Sequence, residues 1–209
     1  MTLQDYLRDP CGASSIPYWK AKTVQVPPHM RIVHEREYTA DDFPGYTDEP
    51  YFRLMHGLRG LAPEDGAFVF RTAMAEELPL LVDMINRSYE NLSVSLAQLQ
   101  GYRATPAFAE ELWLLALDAR TGEPVGCGIA DFDPEAREGV LEWIQVLPEH
   151  RRRSAGQAIV NELLRRMADR ADFATVSGQV RNGTNPEGLY RRCGFTGADV
   201  WHILQEKET

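Results

Sequence analysis

Apolar positions along this chain fall into two rhythms, and the switches between them lay out its elements. Leu78, Leu81, Val82 and Ile85 recur at helical steps, so Glu76–Glu90 is expected to be a helix with one apolar face. Ala155, Ala158, Ile159, Leu163 and Met167 repeat the pattern and predict a longer helix over Ser154–Arg170. Short runs rich in β-formers predict strands at Ala67–Thr72, Leu112–Asp118, Val125–Phe132, Glu138–Leu147, Ala174–Arg181 and Phe195–Leu204. Arg120–Glu123 reads as the turn between the second and third of these, with Gly122 inside it. Shorter helices are expected at Ser93–Tyr102 and Asn185–Arg192, the latter capped by Asn185 with Pro186 at its first position. The order is β-α-α-β-β-β-α-β-α-β. That order predicts a mixed α/β fold with helices on both sides of the sheet and no internal repeat.

The first 62 residues have a different texture. They are rich in proline and aromatics, among them Pro17, Tyr18, Trp19, Pro27, Pro28, Phe43, Pro44, Tyr46, Pro50, Tyr51 and Phe52. A short helix is expected near 3–8 and a strand at Met30–Glu35. So many aromatics argue against a disordered tail. The expected division is an N-terminal extension, 1–65, packed on a domain over 66–209. Its main role there would be to cover core, with a wall of the substrate site as the sharper alternative.

Composition narrows the partners. The chain has 209 residues, of which 44% are apolar and 25% charged, ample for a core. A net charge of -9 opposes general affinity for nucleic acid or anionic membrane, so neither is an expected partner. Cys11, Cys127 and Cys193 are widely spaced, which implies neither a disulfide framework nor a zinc site, and the scattered histidines add no metal site. The N-terminus has no apolar signal core, and no apolar run approaches the ~20 residues of a membrane span. A cytoplasmic location is expected.

One stretch carries candidate chemistry. The strand ending at Val146 meets Pro148, then Arg151, Arg152 and Arg153, then Ser154 at the head of the long helix. The first amides of a helix lack carbonyl partners and the helix dipole favours an anion there. Ser154 is expected to cap the helix through its hydroxyl. A phosphate-bearing ligand fits this arrangement, and so does an ordinary strand-to-helix turn with a solvated basic run. No G-x-x-x-x-G-K-[ST] or G-x-S-x-G motif occurs, and Gly126-Cys127-Gly128 lies inside a strand rather than at a nucleotide-binding turn.

Two separated motifs decide between these. Val146-x-Pro148-x-x-Arg151-x-x-Ser154-x-Gly156, together with Leu189-Tyr190-Arg191-Arg192-Cys193-Gly194-Phe195 preceded by Asn182 and Asn185, resembles the GNAT N-acetyltransferase superfamily over about residues 66–209. The resemblance implies a central, mixed, largely antiparallel sheet flanked by helices. It implies an acetyltransferase that passes the acetyl group of acetyl-CoA directly to an amine, with no metal. The backbone of Arg151, Arg152, Arg153, Ser154, Ala155, Gly156 and Gln157 would hold the diphosphate, with Arg151 and Arg153 as charged partners. The amide near Val146 would hold the thioester carbonyl, and Asn182 and Asn185 would reach the pantetheine or cap the last helix. The family usually has glycine where Ser154 stands.

The same resemblance assigns Tyr190 to the leaving thiolate, with a core tyrosine on a helix face as the alternative. Glu142, on the strand that leads into the loop, is the candidate base, with a solvated strand charge as the alternative. An alkyl ammonium of pKa ~10.4 costs about 4–5 kcal/mol to deprotonate at pH 7, which a carboxylate can relay through water. Tyr190 giving its proton outright to a thiolate of pKa ~8.5 is uphill by about 2 kcal/mol, so a hydrogen bond is the easier role. Glu142 shares strand parity with Ile144 and Val146, and it faces a cleft only if the strand bulges, as strands of this family commonly do. Glu111, Asp131 and Asp133 are weaker rivals. Trp143 and Trp201 are candidates for the acceptor pocket or for core, and His202 reads as a structural histidine. The expected partners are acetyl-CoA, an unidentified amine and a second copy of the chain. The alternative is a non-catalytic acyl-CoA-binding module of the same fold.

Overall fold

The computed structural model describes residues 1–64, 66–89 and 92–207. In chain order the elements are α1 (Leu3–Arg8), α2 (Tyr18–Ala21), β1 (Met30–His34), β2 (Tyr46–His56), β3 (Phe68–Thr72), α3 (Leu78–Ser88), α4 (Leu96–Tyr102) and β4 (Trp113–Asp118). They continue with β5 (Pro124–Asp133), β6 (Glu138–Val146), α5 (Ala155–Met167), β7 (Phe173–Gln179), α6 (Pro186–Arg192) and β8 (Thr196–Glu206). The strands and helices expected from periodicity are all present, with ends shifted by a few residues. Glu90, the expected end of the first long helix, and residue 65 at the expected domain boundary lie outside the described residues. Among the described residues no helix is long and apolar enough to cross a membrane.

The chain divides into two compact units, Gly57–Ala174 and Met1–His56 with Thr175–Thr209. In the Gly57–Ala174 unit the strands run β6-β5-β4-β3, each antiparallel to the next. Alternation divides their side chains between two layers. Trp113, Leu115, Cys127 and Ile129 face one way, into a core shared with Leu78, Leu81, Met84 and Ile85 of α3 and Leu99 of α4. Gly126 and Gly128 face the other way, toward Ile159 of α5. Each helix lays one apolar stripe on its layer. Burial of each large aliphatic side chain contributes roughly 1.5–3 kcal/mol. Ser95 accepts from the Gln98 amide while Gln98 reaches back to the Ser95 amide, so α4 begins later than expected, on a capping box.

In the other unit β8 lies between β1 and β2, antiparallel to both. β2 is not among the elements expected from the sequence. Pro50 sits in its middle, opposite His202, and proline there argues against a strand. Its partner comes from about 150 residues later in the chain, and that pairing makes the strand. Arg53 is buried, and its guanidinium donates to the Pro10 carbonyl (3.3 Å), the Tyr6 hydroxyl (2.9 Å), Ser177 Oγ (3.2 Å) and Thr175 Oγ1 (3.3 Å). These bonds tie α1 to the strands. His202 is a structural histidine, as expected: Nδ1 lies 2.8 Å from Asp48 Oδ1, Nε2 lies 2.6 Å from Glu35 Oε2, and the ring stacks on Tyr38.

The close approach of α5 to β5 rests on glycine. A Cβ at position 128 would lie 2.5 Å from Ile159 Cγ2 and 3.1 Å from Leu163 Cδ1. Gly128→Ala is therefore expected to lower stability by about 1–3 kcal/mol through overpacking. Thermal unfolding of the variant beside wild type checks this.

Candidate functional site

The junction from β6 to α5 is built from the backbone outward. A 3-10 turn, Pro148–His150, follows β6, and Arg151 leaves it extended. Arg152 and Ser154 then both take left-handed backbone, each at φ 62°. Ser154 is the N-cap residue of α5, but its side chain makes no capping bond. That corrects the expected hydroxyl cap: the left-handed backbone of Ser154 departs from the extended geometry of a capping serine. Serine here does by strain what glycine does freely, at about 1–2 kcal/mol. The amides of Ala155, Gly156 and Gln157 open α5 and have no carbonyl within the helix to donate to. Ala155 is buried, while Gly156 and Gln157 are half-buried.

The three arginines have separate jobs. Arg151 Nε donates to the Val146 carbonyl (3.3 Å) and its Nη2 to the Ser88 carbonyl (3.2 Å). Arg153 Nη2 donates to Asp118 Oδ2 at 2.5 Å, and its Nη1 lies 3.3 Å from His150 Nδ1. Arg152 is exposed and makes no ion pair or hydrogen bond with any described residue. Arg151 and Arg153 thus brace the loop with part of their donors, and all three arginines remain exposed. Asp118 is buried at the end of β4. The Arg153 guanidinium, then the Arg120 and Thr121 amides, hold its carboxyl at about 2.

Upstream, β6 does bulge. Trp143 pairs with Ile129 and Leu141 with Ala130, which leaves Glu142 as the extra residue. Ile144 and Val146 pair with Gly128 and Gly126, on the α5 face. The bulge removes Glu142 from their strict alternation, and Glu142 is half-buried. Beside it, Trp143 packs edge-on against Tyr89, and buried Gln145 donates to the Tyr89 hydroxyl at 3.1 Å. Trp143 thus lies at the border of the α3 core. Gln145 and Tyr89 were not singled out in the sequence, where a lone polar residue in a strand gives no signal. Glu111 pairs with Arg170, Asp133 accepts from the Glu135 and Ala136 amides, and Asp131 is buried in β5.

In the other unit Tyr190 lies on α6, buried against Phe52 and edge-on to Phe195. Gly194 turns the chain at φ 94°, and a Cβ there would meet His56 Nε2 at 2.8 Å, so the motif needs glycine at that position. Asn185 accepts from the Gly188 amide at 3.1 Å and caps α6, as expected. Asn182 accepts from the amide and hydroxyl of Thr184. Trp201 donates its indole N–H to the Cys11 carbonyl. The three cysteines are buried and outside any disulfide; burial pushes the Cys127 thiol up to about 12 and Cys193 to about 11, which keeps both protonated at neutral pH.

The model of the acetyltransferase (GNAT) family matches residues 80–195, from α3 through the loop to Phe195. The chain belongs to the GNAT acetyltransferase family. No curated protein matches it in sequence. In fold, this GNAT chain is similar to a GCN5-related N-acetyltransferase from Sphaerobacter thermophilus, with 17% identity and a TM-score of 0.67 over 87% of this chain and 61% of that one. It therefore spans less than two thirds of that protein. It is also similar to the ribosomal-protein-S18-alanine N-acetyltransferase from Escherichia coli (15% identity, TM-score 0.54, 68% of this chain and 95% of that one). A third likeness is to a chain of the NatC complex bound to Gag peptide and CoA (17% identity, TM-score 0.53, 68% and 99%). At these identities the likeness is one of fold, here the mixed α/β GNAT fold with largely antiparallel strands. Among the described residues no cluster of His, Cys, Asp and Glu is placed to hold a metal ion.

Two outcomes follow for this GNAT loop. Ser154→Gly is expected to raise stability by about 0.5–1 kcal/mol, the relief of left-handed strain less the entropy of glycine in the unfolded chain. The midpoint of urea unfolding measures it. The Asp118 carboxyl lies below its ordinary 3.8 in the folded protein, so its contribution is fully present above pH ~4 and lost as pH falls through about 2. The stability gap between wild type and Asp118→Asn, followed by unfolding from pH 5 down to pH 2, should close across that window.

Proposed function

We propose that the chain transfers the acetyl group of acetyl-CoA directly to the nitrogen of an amine acceptor. The observation that carries this reading is the β6 bulge at Glu142, followed within the same segment by the left-handed Arg152–Ser154 loop that opens onto the α5 amides. Family membership and the GNAT fold support it. So do the CoA bound to the NatC relative and the N-acetyltransferase activity named for the Escherichia coli relative.

In this reading the backbone from Arg151 to Gln157 receives the diphosphate. Arg152 meets it from solvent, while Arg151 and Arg153 hold the loop. The amide near Val146 polarises the thioester carbonyl. Glu142 takes the ammonium proton through water, and the freed amine nitrogen attacks the carbonyl carbon. The carbon–sulfur bond breaks, CoA leaves as its thiolate, and the new amide nitrogen gives its second proton to water. By its match to the family motif Tyr190 is the candidate hydrogen-bond donor to the departing sulfur, and solvent completes the protonation of the thiolate. Asn182 and Asn185 act through the turn they build at the head of α6. The protonated buried thiols of Cys127 and Cys193 suit direct transfer, since neither is an activated nucleophile.

The test is release of free thiol from acetyl-CoA across a panel of amines. Glu142→Gln is expected to lower kcat by about 10²-fold at neutral pH, with the deficit shrinking as pH rises toward the amine's own pKa. Tyr190→Phe is expected to lower kcat with little change in acetyl-CoA affinity. Tight acetyl-CoA binding with no turnover on any amine would instead favour the non-catalytic binding module.

A further inference from the structure

Arg152 and Ser154 stand in left-handed backbone on either side of Arg153. Neither is glycine, so the loop does not hold this shape on local preference; such residues persist only where their surroundings over-determine them. Ahead of the strained pair, Arg151 clasps the Val146 and Ser88 carbonyls. Within it, the side chain of Arg153 reaches Asp118, which lies 35 residues earlier, at the end of β4. The other carboxylate oxygen of Asp118 accepts from the Arg120 amide at 3.0 Å and the Thr121 amide at 3.3 Å. Its position is thus fixed by its own turn before Arg153 arrives. The carboxylate is buried while the arginine is half-exposed, so the fixed partner is the acid and the adaptable one is the loop.

We propose that Asp118 is a positioning residue for this loop: by holding Arg153 it keeps Arg152 and Ser154 left-handed, so that the loop and first-turn amides of α5 face a diphosphate already arranged. This rests on the acyl-CoA reading above. Asp118 touches no substrate. It acts by raising the fraction of molecules whose loop is competent, and apparent affinity scales with that fraction. The proposal carries a specific coupling. Glycine at 154 removes part of the strain that the anchor resists, so the loop depends less on Asp118 when Ser154 is glycine.

The experiment titrates CoA into wild type, Asp118→Asn, Asp118→Glu, Ser154→Gly and the double variant Asp118→Asn/Ser154→Gly by calorimetry. Asp118→Asn is expected to weaken CoA binding about tenfold through the lost competent fraction. Asp118→Glu should recover most of that loss. The double variant should bind nearly as well as Ser154→Gly alone, which simple loss of stability would not produce. If Asp118→Asn fails to fold, Arg153→Gln breaks the same contact from its exposed end. Wild-type binding with an unchanged constant in Asp118→Asn overturns the proposal, as does a double variant whose losses merely add. Wild type that binds no CoA counts against the acyl-CoA reading instead. The anchor is then judged without ligand, by amide hydrogen exchange over 151–157: faster exchange in Asp118→Asn supports it and unchanged exchange overturns it.

Discussion

Two residues that are not glycine hold φ at 62° within three positions, and the passage from β6 into α5 depends on what keeps them there. A left-handed residue with a side chain gives up about 1–2 kcal/mol, so two in one short loop are not stable on their own. Arg151 and Arg153 supply the restraint by binding carbonyls of β6 and α3 and a carboxylate of β4. A basic run in an acidic protein is thereby explained mostly from within. Two of its three arginines shape the loop through their hydrogen bonds, and all three stay exposed. The first-turn amides of α5 keep the direction that this bracing gives them.

The layers behind the loop are set by what two glycines omit. With no side chains at Gly126 and Gly128, Ile159 and Leu163 of α5 come close to β5. The opposite face is filled by Trp113, Leu115, Cys127 and Ile129 against α3. The bulge at Glu142 belongs to the same economy. Without it, the alternation that sends Ile144 and Val146 toward α5 would take Glu142 there as well. One extra residue in β6 leaves the apolar positions in register and releases the acid from it.

The unit formed by the two chain ends works through polar contacts between residues far apart in sequence. Arg53 of β2 reaches Tyr6 of α1 and Thr175 and Ser177 of β7, and His202 of β8 lies between Asp48 and Glu35. Such networks specify one arrangement because each buried polar atom left without a partner is costly. Tyr190 takes its place in the same unit through aromatic packing, wedged between Phe52 and Phe195. Its motif needs Gly194 for a backbone turn and for the approach of His56.

Periodicity alone determined α3, α5 and the four strands of the Gly57–Ala174 unit, because apolar spacing and strand runs report local geometry. Capping chemistry was equally local: Asn185 with Pro186 marked the start of α6. The loop motif and the segment from Leu189 to Phe195 were legible because close backbone approach and a left-handed turn restrict which residues fit. Tertiary structure decided the rest. β2 exists because β8 pairs with it, against the local preference of Pro50. The left-handed state of Ser154, the division of labour among three adjacent arginines and the anchor at Asp118 all depend on contacts across tens of residues. A sequence records which side chains are available; only the folded chain decides which of them meet, and so which charges hold the loop.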